Sequence, residues 1–289
     1  MNRISLGTVQ FGLPYGIANQ VGQISRAEAR SMLRQAFTHK IDTIDTAITY
    51  GESETCLGEA GVKDFKIITK LPAIPDGCLR INEWVEKQLV ESLCRLDTNK
   101  IYGFLLHRPE QLLGLNGRAL YEALERLKRK GMVEKIGISI YSPSELESLT
   151  NNFYFDLIQA PFNLIDQRLF STGWMRRLKD SGVEIHTRST FLQGLLLMNH
   201  ADIPKEFVRW SGIFKSWHQW LEENNVSALS ASLAFTYSFP EIDRVVVGAD
   251  SQNQLLEIIN AANNLVKTDL PNLACEDESL INPSNWTKL

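Results

Sequence analysis

Four side chains that can exchange protons or hold charge stand where apolar stretches of the sequence end. Asp45 closes one stretch, with Tyr50 shortly beyond it, Lys70 closes the next, and His107 closes the one after that. If these stretches are parallel strands of one barrel, their C-terminal ends share the open face on which the chemistry of such folds gathers. We therefore expect the four side chains to meet at one site.

The chemistry that this set predicts is the reduction of a carbonyl group. A tyrosine has an ordinary pKa of about 10, and a neighbouring ammonium favours its ionised form, so we expect Lys70, held by Asp45, to lower the pKa of Tyr50. His107 is expected to hydrogen-bond the reacting oxygen and to fix it for proton delivery by Tyr50. Taken singly, Lys70 and His107 also have structural interpretations, as an ion-pair partner and as a packed histidine.

These residues require a fold that aligns strand ends, and the sequence predicts one. Apolar, β-rich stretches alternate with amphipathic helical stretches, the pattern of parallel strands joined by helical crossovers. The predicted strands cover residues 6–11, 40–45, 65–70, 101–107, 135–140, 155–159, 183–187 and 244–247. No Gly-x-Gly-x-x-Gly motif follows the first stretch, so we predict a (β/α)8 TIM barrel rather than an open doubly wound sheet, as a single domain over residues 1–289.

Local signals predict where helices begin and end. Ser25 with Glu28 is a capping pattern that opens a helix, and the Ser142-Pro143-Ser144-Glu145 stretch is another. A further helix is predicted over residues 119–130, ended by Gly131.

Two segments depart from the alternating pattern. Between residues 199 and 225 apolar side chains recur at helical spacing, and we assign this stripe to packing on the outside of the barrel because no basic run flanks it. Its members are Phe207, Trp210, Phe214, Trp217 and Leu221. Residues 265–289 have weak periodicity and are predicted to cross the surface as an irregular C-terminal strap.

The bulk composition excludes several classes of function. The net charge is -4, without the basic footprint of a nucleic-acid-binding protein. No window approaches the roughly 18 apolar residues of a membrane helix, and the N-terminus lacks a secretory signal, so we expect a cytoplasmic protein without a membrane partner. The four cysteines form no C-x-x-C pair, so no metal site and no disulfide framework is predicted. The sequence leaves the oligomeric state open.

The quoted stretches together resemble the aldo-keto reductase superfamily over nearly the whole chain. The resemblance implies the same barrel, a catalytic tetrad of Asp45, Tyr50, Lys70 and His107, and hydride transfer between a nicotinamide cofactor and an aldehyde or ketone. It rests on Leu6-Gly7-Thr8-Val9-Gln10-Phe11-Gly12, Asp45-Thr46-Ala47 with Tyr50-Gly51 and Ser53-Glu54, Thr69-Lys70, His107-Arg108-Pro109 and Val247-Gly248-Ala249.

The resemblance also implies contacts to the nicotinamide. Ser139 and Gln159 match the serine and glutamine that hold the carboxamide of this ring, whereas Ile140 stands in place of a usual asparagine. Arg188 stands where many members carry an aromatic ring stacked on the nicotinamide, and there it would favour the neutral reduced ring over the cationic oxidised one. A surface arginine or a phosphate-binding arginine is the alternative interpretation.

The loop from Gly248 to Gln254 leads into a helix whose N-terminus is a natural seat for a cofactor phosphate. Gly248, Asp250 and Gln254 are the expected cofactor contacts here. Residues 248–260 contain no Lys or Arg, and Asp250 and Glu257 would repel a 2′-phosphate unless turned away. Because cationic help could come from elsewhere in the fold, we keep NADP(H) slightly ahead of NAD(H).

The expected mouth of the site includes Tyr15, Arg108 and Phe162, with Arg188 near the rim. Apolar walls with two arginines suit a polar or anionic small-molecule carbonyl compound, a sugar being one candidate. The main alternative to a reductase is a cofactor-binding regulatory or scaffold protein of the same fold with little turnover. A barrel hydrolase built on Asp45 ranks last, since no second carboxylate stands at a matching strand end.

Overall fold

The computed structural model describes residues 2–288, so residues 1 and 289 of the predicted domain lie outside the described part. Eight parallel strands, numbered in chain order, close into a barrel in which each strand pairs with its neighbours in sequence and the last pairs with the first. The (β/α)8 prediction is confirmed. The strands are β1 Ile4–Gly7, β2 Thr43–Asp45, β3 Lys66–Leu71, β4 Ile101–Leu106, β5 Val133–Ser139, β6 Leu157–Pro161, β7 Glu184–Arg188 and β8 Arg244–Val247.

Helices connect successive strands around the outside of the barrel. They are α1 Val9–Gly12, α2 Arg26–Thr38, α3 Ser53–Ala60, α4 Ile81–Arg95, α5 Gly117–Arg129, α6 Leu146–Thr150, α7 Arg168–Ser171, α8 Trp174–Asp180, α9 Ser211–Asn224, α10 Ala228–Tyr237, α11 Gln252–Asn263 and α12 Glu278–Ile281. Short 3-10 turns lie at Pro109–Leu113, Pro143–Glu145, Leu192–Leu197, His200–Asp202, Lys205–Trp210 and Pro283–Lys288. None of the helices within residues 2–288 has the length and apolar character needed to cross a membrane.

The first strand ends earlier than predicted. Residues 8–11 were expected to continue it, but the Thr8 backbone N–H and hydroxyl both donate to the Asp45 carbonyl, at 3.0 and 2.9 Å. These bonds turn the chain into α1 at the top of the barrel. The second strand begins later than predicted, since Lys40 has a φ of 59°, which is incompatible with a strand. The other predicted strands overlap the observed ones with shifted ends.

The predicted helix signals are confirmed. The Ser25 hydroxyl accepts from the Glu28 N–H at the start of α2, and Ser142 with Glu145 forms a capping box. Gly131 has a φ of 71° just beyond α5, a left-handed conformation that a glycine adopts without steric cost.

The core has two parts. The larger part fills the space between barrel and helices, and a smaller one inside the barrel consists of Ile68, Leu105 and Leu157. The aromatic stripe packs as predicted: Phe207, Trp210, Phe214 and Trp217 are buried, and Leu221 packs against this core.

The C-terminal segment lies against the barrel face that carries the strand ends. Residues 265–277 contain no helix or strand, and α12 and a short 3-10 turn follow. The Cys275 N–H donates to the Ile165 carbonyl at 2.9 Å. Pro283 and Ser284 then line the cavity that the strand ends surround.

Candidate active site

A buried ion pair joins the ends of β2 and β3. The Lys70 ammonium lies 2.7 Å from Asp45 Oδ1 and donates to the Thr46 carbonyl at 2.8 Å, while both charged side chains are at most 5% exposed. The other carboxylate oxygen, Asp45 Oδ2, accepts a hydrogen bond from the Gln159 side-chain amide at 2.7 Å. Both oxygens of the carboxylate therefore have partners, as a buried charge requires.

Tyr50 and His107 stand next to this ion pair. The Lys70 ammonium lies 5.2 Å from the centroid of the Tyr50 ring, and the Tyr50 and His107 rings meet edge to face with centroids 6.0 Å apart. The structure thus brings together the four residues that the sequence placed at strand ends. Asp45, Tyr50 and His107 line one cavity, and Lys70 is buried beside it.

Close backbone packing positions Tyr50. A Cβ on Gly12 would lie 1.8 Å from the Tyr50 carbonyl oxygen, so only a glycine lets α1 approach this loop. The same carbonyl accepts from the Ser53 N–H at 3.0 Å, where α3 begins. The second residue of α3, Glu54, is buried, and its carboxylate accepts from the Thr69 hydroxyl and from Arg95. These contacts hold the start of α3, and with it Tyr50, against β3.

The prediction that the pKa of Tyr50 is lowered is wrong. Burial raises the pKa of Tyr50 above its ordinary value of 10.0, the Asp45 charge raises it further, and the Arg188 guanidinium only partly opposes the shift. The physical reason is that the positive charge of Lys70 is matched at close range by Asp45, so burial of the phenol decides the result. Tyr50 is consequently protonated at neutral pH.

His107 is uncharged at neutral pH. Burial, followed by the positive charges of Lys70, Arg188 and Arg108, lowers the pKa of His107 from 6.5 to about 3. Its Nδ1 atom lies 3.3 Å from the Thr49 hydroxyl. If that hydroxyl donates to Nδ1, the ring proton resides on Nε2, where His107 can donate a hydrogen bond to an oxygen in the cavity.

The cavity is large and extends well beyond these four residues. Its volume is about 780 Å³, which is within the range of small-molecule and cofactor sites. All the predicted cofactor residues line it, namely Ser139, Gln159, Arg188, Gly248, Asp250 and Gln254, as does the predicted substrate residue Tyr15. Two buried side-chain oxygens in its wall, Gln10 Oε1 and Thr190 Oγ1, have no hydrogen-bond partner among the described residues.

Two of the predicted substrate residues lie outside the cavity. Phe162 is fully buried in the helix layer, where its ring stacks on Phe235 with centroids 5.2 Å apart. The strand β6 continues to Pro161, so Phe162 turns away from the barrel mouth. Arg108 is exposed, and its guanidinium lies over the ring of Tyr141, 5.5 Å from the centroid, without lining the cavity.

Ser139 and Gln159, which were predicted to hold the nicotinamide carboxamide, form hydrogen bonds within the protein. The Ser139 hydroxyl donates to the Gln159 side-chain oxygen at 3.3 Å, and the Gln159 nitrogen donates to Asp45. Gln159 therefore supports the ion pair, a contact that sequence reasoning missed because it joins β6 to β2 across the barrel.

Tyr141 is a cavity residue that sequence reasoning missed. Tyr141 stands two residues beyond the end of β5. Its position as a polar residue just beyond a strand end was the signal that could have identified it as a cavity residue. Its ring lies 4.7 Å from the Arg188 guanidinium carbon.

The N-terminus of α11 is capped, and two of its backbone N–H groups already have partners. Ser251 accepts from the Gln254 N–H, and the Gln254 side chain accepts from the Asp250 N–H at 2.8 Å. The Gln252 N–H donates to the carboxylate of Glu28, which reaches across from α2. Sequence reasoning missed this last contact, because Glu28 was interpreted only as part of the cap of its own helix.

A closed (β/α)8 barrel with a tyrosine, a histidine and a lysine–aspartate pair at one end of a long cavity defines a class of barrel oxidoreductases. The model of the Aldo/keto reductase family matches residues 3–274. The chain therefore belongs to the aldo-keto reductase family, whose members are oxidoreductases that use nicotinamide cofactors and small carbonyl substrates.

Individual relatives are distant. The chain is 26% identical over 256 residues to the uncharacterized oxidoreductase YqkF of Bacillus subtilis, covering 82% of each chain. It is 24% identical over 293 residues to L-glyceraldehyde 3-phosphate reductase of Escherichia coli O157:H7, covering 88% of this chain and 84% of the relative. Aldo-keto reductase AKR11C1 from Bacillus halodurans in its holo form shares the fold, with a TM-score of 0.71, 19% identity, and coverage of 93% of this chain and 88% of that one.

The ion pair makes a prediction about stability. The change Lys70→Met keeps much of the side-chain volume but leaves the buried Asp45 carboxylate without its counter-charge, so we expect the free energy of unfolding to fall by about 3–5 kcal/mol. Urea denaturation of the native protein and the variant measures this difference.

The matched control for this experiment is Lys87→Met, which removes an exposed lysine paired with Glu91 at 3.8 Å, and we expect a change within about 0.5 kcal/mol. Adding Asp45→Asn to Lys70→Met should restore part of the lost stability. A loss below about 1 kcal/mol for Lys70→Met alone would contradict the importance of the pair.

Proposed function

We propose that this protein reduces an aldehyde or ketone to an alcohol with Tyr50 as the general acid. The observation that carries the proposal is the geometry of the site: the rings of Tyr50 and His107 meet edge to face at the wall of a cavity large enough for a cofactor. Burial raises the pKa of the phenol and lowers that of the imidazole, so both groups are neutral. A protonated phenol and an N–H donor are the groups that a developing alkoxide needs.

The residues of the cavity fit a nicotinamide dinucleotide. The unpartnered oxygens of Gln10 and Thr190 are acceptors that a polar ligand can satisfy, and the Ser139 hydroxyl, Gly248, Asp250 and Gln254 complete the proposed contact set. When bound, the reduced cofactor supplies the hydride that the carbonyl carbon receives.

The protein's own side chains hold the substrate oxygen and provide the proton. His107 donates a hydrogen bond from Nε2 to the carbonyl oxygen, which orients the oxygen and stabilises the negative charge that develops on it. Tyr50 transfers its hydroxyl proton to that oxygen as the carbon is reduced. The Asp45–Lys70 pair packs beside Tyr50, the Arg188 guanidinium opposes the burial that disfavours the phenolate, and a proton returns to the phenolate from solvent.

The change Tyr50→Phe tests the catalytic assignment. It removes the proton donor and keeps the ring, so we expect kcat to fall by about 10²- to 10⁴-fold while the Kd for the reduced cofactor stays unchanged. Absorbance of the reduced nicotinamide with a panel of aldehydes gives kcat, and quenching of tryptophan fluorescence gives Kd.

The matched control is Tyr154→Phe, since the Tyr154 side chain is 57% exposed outside the cavity, and this variant should retain native activity. Full activity in Tyr50→Phe would refute the assignment. Tight cofactor binding by a native protein that turns over no aldehyde would instead favour a cofactor-binding regulatory or scaffold role.

We further propose that the cofactor is NAD(H), which reverses the slight preference for NADP(H) that the sequence suggested. A 2′-phosphate at the start of α11 would find the Gln254 N–H taken by Ser251 and the Gln252 N–H taken by the negatively charged carboxylate of Glu28. Asp250 and Glu257 add negative charge to the adjoining cavity wall. Arg188, which is the only Lys or Arg among the cavity-lining residues described, lies beside Tyr50 and His107 instead.

Binding measurements test this cofactor choice independently of turnover. We expect the native protein to bind NADH at least about tenfold more tightly than NADPH, a difference of about 1.4 kcal/mol. The change Glu28→Gln keeps an acceptor for the Gln252 N–H and removes the charge, so the Kd for NADPH should fall while that for NADH stays constant.

Glu91→Gln is the control, because Glu91 is a carboxylate on α4 that pairs with Lys87 and does not line the cavity. It should change neither constant. Tighter binding of NADPH than of NADH by the native protein would contradict the proposal.

A further inference from the structure

Arg188 carries a positive charge that no carboxylate neutralises. Its guanidinium donates to the Ile140 carbonyl at 2.9 Å and to the Ser189 hydroxyl at 3.3 Å, and no acidic side chain within the described residues lies within ion-pair distance of it. Two other arginines of low exposure are paired with carboxylates, Arg168 with Asp166 and Arg244 with Asp42, whereas Arg3 donates to backbone carbonyls outside the cavity. An unpaired guanidinium in a cavity wall retains donors for an anionic ligand.

Tyr141 holds this guanidinium in place. The ring of Tyr141 lies 4.7 Å from the Arg188 guanidinium carbon and 5.5 Å from that of Arg108, so two cations contact one aromatic ring. The backbone of Tyr141 is fixed as well, because its N–H donates to Glu145 at 2.7 Å and its carbonyl accepts from Arg168 at 3.1 Å. The guanidinium is therefore preorganised before any ligand binds.

The charge of Arg188 acts on the groups that surround the reacting carbonyl. It contributes to lowering the pKa of His107, and it opposes the burial that raises the pKa of Tyr50 and of Tyr15. Tyr15 is held at the cavity rim by the Gln193 side-chain amide, which donates to its hydroxyl at 3.2 Å. A ligand whose carbonyl oxygen lies between Tyr50 and His107 thus has a fixed guanidinium close by.

We propose that Arg188 binds an anionic group, a carboxylate or a phosphate, on the carbonyl substrate itself. The preferred substrates are then short aldehydes or ketones that carry such a group. This inference rests on the proposed reductase function: the carbonyl carbon accepts a hydride from the reduced nicotinamide, which is oxidised, and the oxygen accepts the Tyr50 proton, so that C=O becomes CH–OH. The anionic group is unchanged in the reaction and serves only for recognition.

The cofactor also carries an anionic group, its diphosphate. The experiment must therefore distinguish an Arg188 that pairs with this diphosphate from one that pairs with the substrate. If Arg188 paired with the cofactor, its loss would weaken cofactor binding and would lower activity on all substrates alike. If it pairs with the substrate, its loss acts only on substrates that carry the anion. The experiment therefore compares matched charged and neutral aldehydes and measures cofactor binding separately.

The test measures kcat/KM for glyceraldehyde 3-phosphate against glyceraldehyde, and for succinic semialdehyde against butanal. We expect the native protein to prefer the anionic member of at least one pair by about 10- to 100-fold, the range for a hydrogen bond to a charged group. In Arg188→Met this preference should vanish, so that the anionic and the neutral member of each pair have equal kcat/KM, while the Kd for NADH stays unchanged. Arg188→Lys should retain part of the preference, since it keeps the charge but not the planar fork.

The matched control is Arg177→Met, because Arg177 also lies over an aromatic ring, that of Trp174 at 3.8 Å, but stands on the outer surface. It should keep the native preference. Equal reduction of charged and neutral aldehydes by the native protein would overturn this inference alone. A parallel loss on all substrates of Arg188→Met with weaker NADH binding would also overturn it, by assigning Arg188 to the cofactor. Failure to reduce any aldehyde despite intact NADH binding would overturn the proposed function and this inference together.

Discussion

The buried pair between Asp45 and Lys70 is the constraint on which the rest of the site depends. Two opposite charges removed from water are tolerable only if further hydrogen bonds accompany the ion pair. The chain meets this requirement with contributions from three strands, since Lys70 also donates to the Thr46 carbonyl and Gln159 reaches across from β6 to the second carboxylate oxygen. The ion pair therefore connects the end of β2 to β3 and β6, and its ammonium lies next to the Tyr50 ring.

Burial and nearby charges set the protonation states of Tyr50 and His107. Burial keeps the phenol of Tyr50 protonated, and burial together with the positive charges of Lys70, Arg188 and Arg108 keeps the imidazole of His107 uncharged. In the proposed function, these two neutral groups donate to the substrate oxygen, which suits the reduction direction. Arg188 has no carboxylate partner among residues 2–288, and it is held in the cavity wall by Tyr141 and by the Ile140 carbonyl. We propose that this fixed positive charge favours an anionic carbonyl compound.

The sequence was sufficient to predict the barrel and the meeting of Asp45, Tyr50, Lys70 and His107, because strand periodicity and strand ends are local features. It was insufficient where a result depends on the direction of a side chain or on partners distant in sequence. Phe162 was assigned to the mouth, but the extension of β6 to Pro161 turns it into the helix layer. The contact of Glu28 with the start of α11 and the bond of Gln159 to Asp45 both join distant elements. The direction of the pKa shift at Tyr50 was wrong because burial, which no residue pattern reports, outweighs a matched charge.

The protonation state of Tyr50 is the central claim, and a spectroscopic titration tests it most directly. Absorbance of the phenolate is followed as the pH is raised for the native protein and for Tyr50→Phe, and the difference isolates Tyr50. With a raised pKa, the Tyr50 hydroxyl keeps its proton throughout the neutral range, so the two curves should coincide from pH 6 to about pH 10, the ordinary value for a tyrosine. A single tyrosine that ionises near pH 7 to 8 in the native protein, and is missing in the variant, would contradict the account.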